Sequence, residues 1–332
     1  MQTVDVTTLS EDDYALWDRF VSGTAGGTFF HQSGWGRVIS LAVGRPLRIL
    51  TCRRGDEILA GMCLFDNIKW GLVLATPVPL FPFNGPVIGT ASEVSEHKII
   101  ARTMRYSASF IGFLTRHYTY WILDVGPGFD DVRTFQWAGC HVEPVYTYKV
   151  ALKDRNISEN YNQSVRRKIK ESEQLGIEVT ESDAVGNFID LYEKSYHRHN
   201  RRPPVKPTMI ERLLAMIIRL PEVKLYVARE GNKIIAGRIV VEDQETVYDL
   251  LAGSDDDTGL GATTIIHNLL TGYSDSHAYF DFMGAGHQQI EQFKRGFGGK
   301  LVMGFRISNQ PGFPLSLMIS LRNANLMRRR SL

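Results

Sequence analysis

The segment Phe280–Leu301, FDFMGAGHQQIEQFKRGFGGKL, ends an apolar run in Gly284-x-Gly286 and then sets one lysine, Lys294, between Phe293 and Phe297. A lysine ammonium can stabilise negative charge that develops during a reaction; on an ordinary surface helix it is solvated decoration. Other residue groups invite the same question. Arg198 and Arg202 lie in HRHNRRPP, and arginine suits a bidentate grip on phosphate or carboxylate as well as a solvated helix end. His197-x-His199 has a metal-like spacing, but no further ligand cluster accompanies it, so no metal is expected. SVRRKIKES gathers Arg166, Arg167, Lys168 and Lys170, either a face for nucleic-acid phosphates or the solvated side of a helix that continues into Glu171 and Glu173. SDDDTGLGATTIIHN puts Gly259-x-Gly261 ahead of a helix, preceded by Asp255, Asp256 and Asp257.

The elements that must position these groups come in two copies. LRILTCRRGDEILAGMCLF from Leu47 and VKLYVAREGNKIIAGRIVV from Val223 align without gaps, each a strand, a Gly-Asp or Gly-Asn turn, and a strand returning through Ile-x-Ala-Gly. DVGPGFDDVRTFQWAGCHV from Asp124 echoes the lysine segment: Gly126-x-Gly128 matches Gly284-x-Gly286, Val132 matches Ile290, and Phe135 matches Phe293. Gln136 then falls where the second copy has Lys294, so only the second copy carries the cation. Helical spacing in HKIIARTMRYSASFIGFLTRH and in GATTIIHNLLTGYSDSH, each followed by a strand, completes two α/β (mixed α+β) modules. The expected domains are 1–152, joined by a C-terminal helix 312–332, and 153–311 as the catalytic copy. The chain has 332 residues, 43% hydrophobic and 22% charged, a size and composition that suit two cored domains. Net charge +2 names no partner by itself. Three cysteines without a CxxC pair fit reduced thiols, the first residues lack a signal-peptide pattern, and a cytoplasmic location is expected.

Hairpin, strand, helix, strand and helix in duplicate resemble the tandem GNAT-like acyltransferase domains of the Fem-type peptidyl transferases. The further carriers of the likeness are FFHQSGWGRV and FNGPVI in copy one, and SVRRKIKESEQLGIEV, YDLLAGSDDD and FKRGFGG in copy two, in the family's order. The family moves an amino acid from aminoacyl-tRNA to the peptide of a peptidoglycan precursor. The resemblance implies that Lys294 sits at the acyl carbonyl as the catalytic cation. It implies that Trp35, Arg37, Arg198, Arg202 and Tyr248 contact substrate, and that Arg166, Arg167, Lys168 and Lys170 meet the tRNA. It names no general base; Asp281 is a candidate, with a turn or capping role as its alternative.

GNAT enzymes that use acyl-CoA hold its pyrophosphate on backbone N–H groups at a helix start, here Gly259-x-Gly261. Three aspartates beside a pyrophosphate would repel it, while aspartate at a helix start also serves as a cap. No tightly bound cofactor is expected, with aminoacyl-tRNA as donor and acyl-CoA as the alternative. The functional expectation is aminoacyl or acyl transfer to an amine of a cell-envelope precursor, with peripheral contact to an anionic membrane and no DNA partner. The alternatives are an acyl-CoA N-acyltransferase acting on an amino sugar or other envelope amine, and a non-catalytic envelope-peptide binder.

Overall fold

Two β-hairpins, each turning through a left-handed glycine (Gly55 and Gly231), anchor a mixed run of strands in each half of the chain. The computed structural model describes residues 4–89, 95–153, 156–198, 201–286 and 288–310. In chain order the first elements are β1 (Val6–Thr8), α1 (Tyr14–Ser22), α2 (Ser33–Val43), β2 (Leu47–Arg54), β3 (Glu57–Lys69), β4 (Leu72–Ala75), β5 (Val87–Ile88), α3 (Glu96–His117), β6 (Tyr120–Val125), α4 (Arg133–Trp137) and β7 (His141–Ala151). They are followed by α5 (Gln163–Gln174), β8 (Glu178–Ser182), α6 (Val185–His197), α7 (Pro207–Ile217), β9 (Val223–Glu230), β10 (Lys233–Glu242) and β11 (Thr246–Ser254). The last are α8 (Leu260–Gly272), β12 (Tyr279–Asp281), α9 (Gln288–Arg295) and β13 (Lys300–Ser308).

The chain forms two compact units, one of residues up to Pro144 with those from Met303 on, the other Val145–Val302. In the first unit the strands run β1-β2-β3-β4-β6-β13, antiparallel throughout except for the parallel β4–β6 pair, with β5 added to β3. In the second they run β8-β9-β10-β11-β12-β7, again antiparallel except for β11–β12. The two orders correspond strand for strand, so the duplication read from the hairpins extends through each run of strands. Each unit takes its last strand from the other half of the sequence: β6 pairs with β13, and β12 with β7. The division therefore lies at other points than the boundary expected between 152 and 153. The helix expected over 312–332 lies outside the described residues.

Each unit has its own core. The first buries Leu50, Met62, Leu64, Phe110 and Trp121; the second buries Ile265, Ile266, Phe280, Phe282 and Phe297. Helix α8 lies close on β10 because Gly261 has no side chain: a Cβ there would come within 2.9 Å of Ile235 and 3.0 Å of Ala236. That contact fixes the start of α8, and with it the loop that precedes it.

Candidate active site

Strand β12 ends at Asp281, and the chain then turns through Met283 and Gly284, both at positive φ (53° and 116°). A left-handed methionine is a costly conformation that neighbours must impose. They do so by hydrogen bonds: Met283 N–H donates to Asp281 Oδ1 (2.7 Å), Thr147 Oγ1 donates to the same oxygen (2.7 Å), and Gly284 N–H donates to Thr147 Oγ1 (3.0 Å). Asp281 is thus the buried core of a turn. Burial pushes its carboxyl up against the pull of these hydrogen bonds and of Lys149 and Lys294. Its role here is the turn-forming one of the two expected: two donors hold Oδ1, and the residue is 3% exposed.

The turn aims two carbonyls at one point. Lys294 Nζ, from the last turn of α9, donates to Phe282 O (2.5 Å) and Gly284 O (2.7 Å). Helix α9 is held in turn by Tyr148, whose hydroxyl donates to Glu291 Oε1 (2.6 Å). Lys294 is only half-buried by surface area, yet its ammonium end is desolvated, and this pushes its pKa down to about 8; Asp249 favours the charged form, Arg238 opposes it and Asp281 favours it. An ammonium has three N–H donors. Two are fixed on carbonyls, which orients the third. Gln136, its counterpart in the first unit, is exposed.

Beside this lysine lies a buried ion pair that sequence reading did not single out. Arg238 of β10 donates through Nη1 to Asp249 Oδ2 of β11, both nearly sealed from solvent, and the guanidinium stacks 5.6 Å from the Phe293 ring. Arg238 Nε and Asp249 Oδ1 have no hydrogen-bond partner. A legible signal existed: one cation in GRIVV and one anion in VYDLL, each interrupting an apolar strand where an unpaired charge is too costly to bury.

The loop after β11 turns one of its acidic residues, Asp256, inward, while Asp257 stays exposed. Asp256 Oδ1 accepts from the Thr258 N–H (2.8 Å) and from the Thr258 hydroxyl, and Oδ2 accepts from Gly261 N–H (2.9 Å). Burial would raise its pKa, but these bonds and that of the Gly259 N–H hold the carboxyl below the usual range. Gly259, at φ 71°, caps α8. The amides at the Gly259-x-Gly261 helix start, expected as a cofactor site, are therefore engaged by the protein's own carboxylate.

Several expected contacts have structural partners instead. Trp35 is 1% exposed, packs on Phe29 and Phe30, and donates Nε1–H to Leu80 O (3.1 Å); it is a core residue, because that cluster leaves no face for a substrate. Tyr248 is 5% exposed, and its hydroxyl donates to Asp243 Oδ2 (2.8 Å), so it too is held in the core. Arg198 clamps the acidic loop through Asp257 Oδ1 (3.0 Å) and Ser254 O (2.9 Å), beside the Lys194–Asp255 pair at 3.0 Å. Arg37 is exposed on the first unit, 3.9 Å from Glu11, and Arg202 is exposed on the second. Of the four basic residues on α5, Arg166, Arg167 and Lys170 are exposed on one side, while Lys168 turns away to Gly259, its Nζ 2.9 Å from where a Cβ would stand. The four do not form one face, because successive helical residues are 100° apart. His199 lies outside the described residues, and among those described no three His, Cys, Asp or Glu side chains form a metal-binding group.

Residues 159–295 match the acetyltransferase (GNAT) domain family. No curated protein matches the sequence. Among solved structures, FemX superposes with a TM-score of 0.65 at 11% identity, over 91% of this chain and 96% of that one. L-PGS from Bacillus licheniformis gives 0.57 at 9% identity, over 97% and 98%. A tandem GNAT protein from the clavulanic acid biosynthesis pathway gives 0.53 at 8%, over 93% and 99%. At these identities the structural likeness speaks for the fold, and the family match speaks for the second unit. The chain is an acyltransferase that carries a GNAT domain at residues 159–295 and shares the fold of the Fem-like tandem GNAT proteins.

Proposed function

We propose that the second unit transfers an aminoacyl group from an activated ester, aminoacyl-tRNA, to an amine of a cell-envelope precursor at the inner face of the membrane. The observation that carries this reading is Asp256. Where a CoA-dependent enzyme of this fold would offer free helix-start amides to a pyrophosphate, this chain offers amides already bound to a carboxylate. A pyrophosphate would have to displace that carboxylate and then sit beside it, a repulsive arrangement. A tRNA ester needs no such anion site at this loop, and the exposed Arg166, Arg167 and Lys170 suit phosphates.

In the reaction the acceptor nitrogen attacks the ester carbonyl, a C–N bond forms and the C–O bond to the ribose breaks. The proton shed by nitrogen passes through solvent to the departing ribose oxygen. Lys294 contributes its third N–H to the oxyanion of the tetrahedral intermediate, held ready by the carbonyls of Phe282 and Gly284. The name of another structure of this fold, a domain of a putative lysylphosphatidylglycerol synthetase from Agrobacterium fabrum, joins a lysyl group to a phospholipid, and an envelope acceptor is in keeping with it.

The test is transfer of radiolabel from charged tRNA and, separately, from acyl-CoA to an extracted envelope-precursor mixture. Lys294→Ala is expected to lower transfer from tRNA by about 10²–10³-fold. Transfer from acyl-CoA in place of tRNA would replace this reading with a CoA-dependent N-acyltransferase. Tight precursor binding with no transfer from either donor would leave a binding protein.

A further inference from the structure

The β3–β4 hairpin of the first unit ends in a turn that the fold does not favour. Lys69 pairs with Leu72, so Trp70 and Gly71 are the two central turn residues, at φ 54° and 74°. Both positive values describe a type I′ turn, whose first central position prefers Asn, Asp or Gly. A bulky tryptophan there is a strained choice. Packing does not explain it, since Trp70 is 69% exposed.

The tip around it is uncovered. Pairing of β3 with β2 ends at Phe65, β4 meets β6 at Leu74 and Ala75, and Val73 O accepts from Thr119 N–H (2.8 Å), so residues 67–72 form a two-stranded end beyond the rest of the sheet, with Val73 at its base. Ile68 and Val73 face each other across this ribbon and are 76% and 37% exposed. Lys69, its ammonium 4.3 Å from the Trp70 ring centroid, is the only charge from Asn67 to Ala75. Two aliphatic residues, a tryptophan and one lysine at an exposed tip are the combination that suits a bilayer interface: apolar atoms below the headgroups, an indole at their level, a cation among anionic phosphates. A single cation is too little for a nucleic-acid groove, which works through many phosphate contacts.

We propose that the β3–β4 hairpin tip inserts into an anionic phospholipid surface, with Ile68, Trp70 and Val73 as the immersed residues and Lys69 at the headgroups. The inference rests on the first unit alone and holds whatever group the second unit transfers.

The test is co-sedimentation of the full chain with vesicles of phosphatidylglycerol and phosphatidylcholine, beside vesicles of phosphatidylcholine alone, with tryptophan emission recorded. Binding to the anionic vesicles and a blue shift are expected, with weaker binding to the neutral ones. Trp70→Asn places a residue the turn prefers, so its melting temperature should equal or exceed the parent's, while vesicle partitioning falls by about tenfold or more. Ile68→Thr/Val73→Thr keeps strand-forming side chains and should also weaken partitioning. Absence of vesicle binding, equal binding to both lipids, unchanged binding by Trp70→Asn, or a protein dimer that Trp70→Asn dissolves would each overturn the proposal.

Discussion

At the scale of single residues, Lys294 gains its character from what surrounds it. Burial lowers its pKa to about 8, so the ammonium is the majority form below that pH. If the charged form is the one that stabilises the oxyanion, kcat/KM should fall as pH rises through about 8. Stability runs the other way. From about 8 up to the ordinary 10.5 the unfolded chain binds the proton that the folded chain has lost, so folding is favoured by rising pH across that window. A pH–rate profile and melting temperatures over the same range check both signs. Asp249→Asn removes a charge that favours the ammonium, so the alkaline limb should move to lower pH. The same change leaves Arg238 buried without its counter-ion, at a cost of about 3–5 kcal/mol, measurable by denaturant unfolding.

At the scale of elements, the loop between β11 and α8 decides what the helix start can bind. Asp256 is a cap held by the amides of Thr258 and Gly261. Asp256→Ala should therefore lower stability by about 0.5–2 kcal/mol. It should also free those amides, so that any weak affinity for a pyrophosphate ligand rises; calorimetric titration with CoA reads this directly. No gain in affinity would mean that Asp255 and Asp257 still repel the ligand, or that the loop is not shaped for it. The turn after β12 works by the same logic from the other side. Asp281 and Thr147 impose a strained Met283 and so point two carbonyls at Lys294.

At the scale of the molecule, two units of one topology carry different surfaces: the cation with its paired carbonyls in the second, the exposed tryptophan tip in the first. The two roles should separate. Lys294→Ala should lose transfer and keep vesicle binding, whereas Trp70→Asn should lose vesicle binding and keep transfer to a water-soluble acceptor amine. Parallel assays of both variants check this, and loss of both activities in either one would show that the surfaces are not independent. Among the described residues no helix is long and apolar enough to cross a membrane.

The sequence by itself determined the duplication, the two hairpins, the mixed α/β character and the position of Lys294, because strand periodicity, glycine turns and repeated spacing are local properties of the chain. It also placed three carboxylates before α8. Only the tertiary structure decided the rest. Strands β7 and β13 pair outside their own halves of the sequence, a choice made by long-range hydrogen bonding that no local pattern records. Trp35 and Tyr248, both read as substrate contacts, are taken into cores by neighbours distant in sequence, and Arg198 is taken by the acidic loop. Arg238 and Asp249 show in the sequence as single charges in apolar strands, but only the fold makes them one buried pair, with β10 and β11 side by side, because a charge in an apolar strand is tolerated only where the fold supplies its opposite.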